Sequence, residues 1–254
     1  MIKKRLVAVV VVRDGRVVQS EKFRHTNVIH SDAIHAVEAF SRWDVDEIVL
    51  LNVSREKDPS RDQFLRIVER VSEVCFVPLT VGGFVDDEAY AEALVAFGAD
   101  KLIVNTAFEE RTELTRAIAF RFGKQCLVAS IDIRLDESLT PVVYVDRGMK
   151  STGKTLSQWI DHCAINGAGE IFLNNIEFDG NRKGYDLTSL RSAVNKSSLP
   201  IIIFGGAFHN KHFAEGLEAG ASAVAAANIF HYKEMATKSV KRFLKRSGYN
   251  VRNQ

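Results

Sequence analysis

Two stretches of this chain, 121 residues apart, spell nearly the same strand, and a chain that repeats itself at that interval has few architectures open to it. Leu6–Arg13 (LVAVVVVR) aligns with Leu127–Arg134 (LVASIDIR). The match continues downstream: Asp46–Asn52 with Gly169–Asn175, Pro78–Gly83 with Ile201–Gly206, and Gly98–Asp100 with Gly220–Ser222. Short β-branched runs near residues 5–12, 47–53, 77–82, 101–105, 126–132, 170–175, 200–204 and 223–227 alternate with helical patterns such as Arg61–Val74 and Asp86–Phe97. The runs are apolar on both faces, as buried parallel strands are. Eight β-then-α units in about 250 residues predict an α/β fold of the (β/α)8 TIM-barrel type. A doubly wound sheet is the rival, but it rarely needs eight regular units. The repeat divides one barrel domain, residues 1–254, into half-barrels of about 1–122 and 123–254.

Composition narrows the function classes. The chain has 254 residues, 46% hydrophobic and 26% charged, enough for one large core. Net charge is +2 with scattered basic residues, so neither nucleic acid nor a membrane surface is an expected partner. No apolar run approaches the ~18 residues a bilayer span requires. Met1–Arg5 resembles the start of a signal peptide, but the apolar stretch runs into Arg13-Asp14-Gly15-Arg16 and reads better as a strand. Cys75, Cys126 and Cys163 are far apart in sequence, which fits a reducing cytoplasm without disulfides or zinc. The polar tail Ser247–Gln254 is expected to fray.

In such a barrel the C-terminal rim carries function. The connections Asp14–Ser31 and 133–154 lie there, after the first and fifth strands. So do Gly82-Gly83, Asn105-Thr106, Gly205-Gly206 and Ala227-Asn228, which end the third, fourth, seventh and eighth strands. Glycine lets backbone N–H groups approach an oxyanion, and a following helix adds its positive end. Two symmetry-related phosphate sites are expected, although each Gly-Gly pair also suits a tight turn. Asp179-Gly180 offers backbone donors after the sixth strand and is equally an ordinary turn. Asp132 ends the fifth strand facing the mouth, where a carboxylate can act as general acid or base. Its counterpart in the first strand is Val11, so two-acid chemistry is not expected. At the opposite end, Arg5, Glu47, Lys101 and Glu170 begin the first, second, fourth and sixth strands. Such charges can pair into a closing ring, and at the bottom of a barrel they usually serve stability. His209-x-x-His212 lacks further ligands for a metal site. No nucleophile elbow, P-loop or dinucleotide fingerprint occurs, and no cofactor is expected.

Taken together, Arg13–Val18, Thr80–Gly83, Gly98–Lys101, Asn105-Thr106, Gly167–Ile171, Asp179-Gly180, Gly184–Asp186, Leu199–Ile202 and Ile229–His231 resemble the cyclase subunit of imidazole glycerol phosphate synthase, in order along nearly the whole chain. The resemblance implies a barrel working in a heterodimer with a class I glutamine amidotransferase, which docks at the barrel bottom and releases ammonia into the interior. It implies a gate made of Arg5, Glu47, Lys101 and Glu170, with Asp100 facing the partner. It further implies a lyase that closes an imidazole ring on a ribulose-type bisphosphate in histidine biosynthesis, using acids that end the first and fifth strands. The fifth-strand acid is Asp132, but Val11 replaces the first. The only nearby stand-in is Asp14, three residues along. Further departures cluster on the top rim: Phe84 for a third glycine, Phe204 for a small residue, Gln19 for a basic one, Asn52 for an aspartate and Asn228 for a serine. The pattern is similar to paralogues of this cyclase in surface-polysaccharide (lipopolysaccharide-type) pathways. Those supply ammonia to a separate sugar amidotransferase, which forms an acetamidino group. A genuine histidine-pathway cyclase is the alternative.

Overall fold

The β-branched runs form a closed ring of parallel strands. In this computed structural model, which describes residues 3–232 and 235–252, twelve strands form one sheet. The strands are β1 Arg5–Arg13, β2 Arg16–Glu21, β3 His25–His30, β4 Glu47–Asn52, β5 Leu79–Gly82, β6 Lys101–Val104, β7 Leu127–Leu135, β8 Pro141–Val145, β9 Lys150–Thr155, β10 Glu170–Asn175, β11 Ile201–Phe204 and β12 Ala223–Ala226. The parallel ring runs β1-β4-β5-β6-β7-β10-β11-β12 and closes by pairing Arg5 with Ala223. This is a (β/α)8 TIM barrel. Helices cover its outside because each strand is apolar on both faces. One core lies between strands and helices, and a second fills the barrel itself with Val7, Val9, Val49, Val128, Phe172 and Ile202.

The remaining four strands lie within the connections that follow the first and fifth barrel strands. β2–β3 is an antiparallel arm on β1, and β8–β9 is another on β7. The turn residues that mark loops in the sequence, Asp14-Gly15 and Asp146-Arg147-Gly148, have positive φ and sit at the tips of hairpin turns. The helix expected at Arg61 begins at Lys57, because Pro59 falls in its first turn, where no helical donor is lost. Asp87 caps the next helix by accepting from the Tyr90 N–H at 2.8 Å.

The tail does not fray over its described part. Val251 is buried and pairs with Lys4, the Lys4 N–H donates to the Asn250 carbonyl at 2.8 Å, and Tyr249 Oη donates to the Ala214 carbonyl at 3.2 Å. Met1-Ile2, ahead of the first strand, and the final Asn253-Gln254 lie outside the described residues. Among the described residues, no helix is long and apolar enough to cross a membrane.

Candidate active site

Strand alternation places one set of side chains inside the barrel, and its first tier is fully charged. Arg5 Nη1 donates to Glu47 Oε2 at 2.6 Å, and its Nη2 pairs with Glu170. Lys101 Nζ reaches Glu47 at 3.1 Å and Glu170 at 2.9 Å. Thr80 Oγ1 donates to Glu47 Oε1 at 2.7 Å from within the barrel. The structure therefore brings all four sequence-predicted ring residues together into one alternating circuit. Burial works against the Arg5 charge, but Glu170 and Glu47 outweigh it, and the guanidinium holds its proton more firmly than usual. Asp100 lies exposed beside this end, accepting the Leu79 N–H at 2.7 Å.

Above the ring the interior is apolar up to a mouth at the strand C-termini. A cavity of about 360 Å³ opens there. Val11, Asp132, Asn105 and Thr106 all line it, as do Gly83, Asp179, Ala227 and Asn228. Val11 and Asp132 stand on β1 and β7, which are diametrically opposite in the ring. Asp132 accepts from Asn105 Nδ2 at 3.2 Å. Burial pushes its carboxyl up to about 7, with a hydrogen bond from Asn174 opposing the rise and the charge of Asp179 adding to it. That value suits proton transfer near neutral pH.

A raised carboxyl carries a signature in stability. Between about pH 4 and 7 the folded chain keeps the Asp132 proton while the unfolded chain loses it, so stability falls as pH rises through that window. Asp132→Asn removes this slope. It is expected to match the wild type near pH 4 and to exceed it by about 2–4 kcal/mol at pH 8, read from urea unfolding at both pH values.

Asp14 sits apart from these groups. Its side chain is 67% exposed at the β1–β2 turn, 3.5 Å from Arg13 Nε, and it is not among the residues that line the cavity. In this conformation it cannot face Asp132 across the mouth. Asp179 is committed differently from the sequence expectation, which used only its backbone. Its carboxylate accepts from Ser20 Oγ at 2.7 Å and from the Phe23 N–H at 3.3 Å, tethering the β2–β3 arm. Gln19, on that arm, accepts from Tyr232 Oη at 2.5 Å. Asn52 Oδ1 accepts the Ser54 N–H at 3.1 Å and so shapes the loop beneath the cavity.

Gly83 has φ +116°, and a Cβ there would run into the Asn52 carbonyl. Gly82 ends β5 beside it. Gly180, Gly205, Gly206, Ala227 and Asn228 line a separate slot of about 20 Å³ on the far side. Of the His209-x-x-His212 pair, His212 Nδ1 accepts the Phe208 and His209 N–H groups at 3.1 and 3.4 Å and closes the helix start. Among the described residues, no cluster of three or more His, Cys, Asp or Glu could hold a metal ion.

Several site residues were not singled out from the sequence. Phe172 shares a face with Glu170 and Asn174, so alternation along β10 could have found it. Arg55, Arg111 and Arg147 line the cavity from three different loops, and no local spacing signals their convergence. Phe76, Phe120 and Ile165 are 82%, 95% and 74% exposed at helix ends or loops that lead into β5, β7 and β10, on the same rim as the charged ring.

Similarity to known proteins runs along nearly the whole chain. The family described as "Histidine biosynthesis protein" matches residues 5–236. The chain is 38% identical over 253 residues to "Imidazole glycerol phosphate synthase subunit HisF" of Thermotoga sp. (strain RQ2), covering 99% of this chain and 98% of that one. It is 37% identical over 254 residues to the protein of the same name from Bacillus subtilis (strain 168), covering 99% and 100%. It is 38% identical over 248 residues to that from Streptomyces coelicolor (strain ATCC BAA-471 / A3(2) / M145), covering 98% of each.

Proposed function

This chain belongs to the histidine biosynthesis protein family, alongside relatives named as HisF subunits of imidazole glycerol phosphate synthase, and from that premise we propose an ammonia-receiving barrel subunit that has lost half of its ring-closing acid–base pair. A class I glutamine amidotransferase docks on the rim bearing Asp100, Phe76, Phe120 and Ile165. Ammonia enters through Arg5, Glu47, Lys101 and Glu170. Being small and neutral, it crosses an apolar interior that does not solvate ions, and it emerges at the mouth beside Asp132. A phosphorylated small molecule meets it there, with Gly82, Gly83, Asn105 and Thr106 on one side and Asp179, Gly180, Gly205, Gly206, Ala227 and Asn228 on the other. One observation carries the reading: Val11 stands where the second acid would have to be, opposite the buried Asp132. Losing a proton-transferring carboxylate commonly costs about 10²–10⁴-fold in rate. Ring closure is therefore weak, and the ammonia serves another acceptor. The acceptor class we favour is a nucleotide-linked or lipid-linked sugar held by a separate amidotransferase.

The second reading, a ring-closing enzyme of histidine biosynthesis, draws its support from full-length similarity to relatives bearing that name. The two readings share the glutaminase partner, which is tested first. The exposed phenylalanines and isoleucine beside the charged ring make an apolar surface that a partner would cover. Phe120→Asp is expected to raise the Kd for the glutaminase at least tenfold, about 1.4 kcal/mol, while leaving the melting temperature unchanged. Unchanged affinity in both Phe120→Asp and Phe76→Asp would remove this docking face from the account.

A further inference from the structure

The mouth is divided unevenly, and one side chain divides it. Phe204 ends β11 and lines both the main cavity and the small slot. Its ring lies 5.2 Å from that of Phe172, tilted by 35°, and both are buried. The register pairs Phe204 with Asn174, and Asn174 with Asp132, so Phe204 stands two strands along the ladder from the buried acid. Phe84, the other phenylalanine on the rim, behaves differently. It takes a left-handed φ of +56° and lines the main cavity but not the slot.

Charge follows the same division. On the first-half side Arg55 and Arg111 border the cavity with Asn105 and Thr106, and Arg147 reaches over from the β8–β9 turn, donating to the Arg55 carbonyl at 3.2 Å. The acids there are already paired: Asp86 with Lys57 and Arg61, Glu110 with Lys150 at 2.9 Å, and Asp146 with Arg147 at 3.0 Å. Among the described residues, Arg55 and Arg111 form no ion pair, so this side attracts anions. On the second-half side the slot has room for about one water. Its basic residue, Arg182, lies over the Phe208 ring at 5.0 Å, and the buried Asp179 borders the same space.

We infer that the mouth takes a ligand bearing a single phosphate-type group, held on the first-half side by Arg55 and Arg111 with Asn105 and Thr106, and that Phe204 has closed the second-half loop to anions. The ligand's body lies against the apolar floor of Val11, Phe172 and Phe204. A molecule with a phosphate at each end does not fit this arrangement, whereas one with a single anionic end does. The inference rests on reading the mouth as the acceptor end of the barrel, yet its test needs neither ammonia nor a partner, so either can fail alone.

The test is calorimetric titration of the purified chain with inorganic phosphate at low ionic strength, where such attractions are least screened. The wild type is expected to bind one equivalent. Arg55→Gln with Arg111→Gln should weaken that binding tenfold or more, and Phe204→Ser should add a second equivalent. Two equivalents in the wild type, no binding at all, or an arginine pair variant with unchanged affinity would overturn the inference. Should Phe204→Ser fail to fold, the wild-type stoichiometry and the arginine variant decide the matter without it.

Discussion

Glu47→Ala is expected to cost about 3–5 kcal/mol of folding stability, the range for removing one partner from a buried ion pair. Glu47 is 1% exposed and accepts from Arg5, Lys101 and Thr80 at once. Its loss leaves two cations facing the single carboxylate of Glu170 and a buried hydroxyl without its acceptor. Arg5 and Lys101 have side chains 21% and 19% exposed, so water relieves part of their charge and holds the effect near the lower bound. Glu47→Gln, which keeps an acceptor for Thr80, should cost less. Urea unfolding measures both variants; a loss below about 1 kcal/mol for Glu47→Ala would mean that the ring behaves as an ordinary surface network. In complex with the glutaminase, the same variant should release more ammonia to solvent per glutamine hydrolysed, because the circuit that closes the barrel is broken.

Restoring the absent acid produces the other large effect. Val11→Asp places a carboxylate opposite Asp132, and Phe204→Ser reopens the slot beyond it. The double variant is expected to raise ammonium-dependent turnover of the ribulose-type bisphosphate by about 10²–10⁴-fold over the wild type. Val11→Asp alone should gain less, because the substrate's second phosphate still meets the Phe204 ring. Steady-state assays of the three proteins separate the two contributions. No gain in the double variant would show that the acid and the slot are not what limits ring closure.

Much of this was legible in the residues, and the limits have physical causes. The barrel follows from a repeat of two-sided apolar runs, since only a covered parallel sheet buries both faces. The charged ring was also legible, because inward side chains at strand starts gather at one end of a barrel once the sheet closes. The arms β2–β3 and β8–β9 were not, since β3 and β9 are short, polar and largely exposed, and β2 and β8 are too short for a strong alternation signal. Nor was the uneven mouth. Arg55, Arg111 and Arg147 come from separate loops, and the effect of Phe204 depends on its contact with Phe172 across adjacent strands. Asp14 shows the converse limit: three residues from Val11 in sequence, it lies beyond the strand end and turns to solvent.

The most direct measurement is turnover of the unaltered chain with that bisphosphate and saturating ammonium, beside a HisF relative under the same conditions. The account predicts a rate at least about 10²-fold below the relative's, because a valine cannot carry a proton. Equal rates would contradict it and would place this barrel among the ring-closing enzymes.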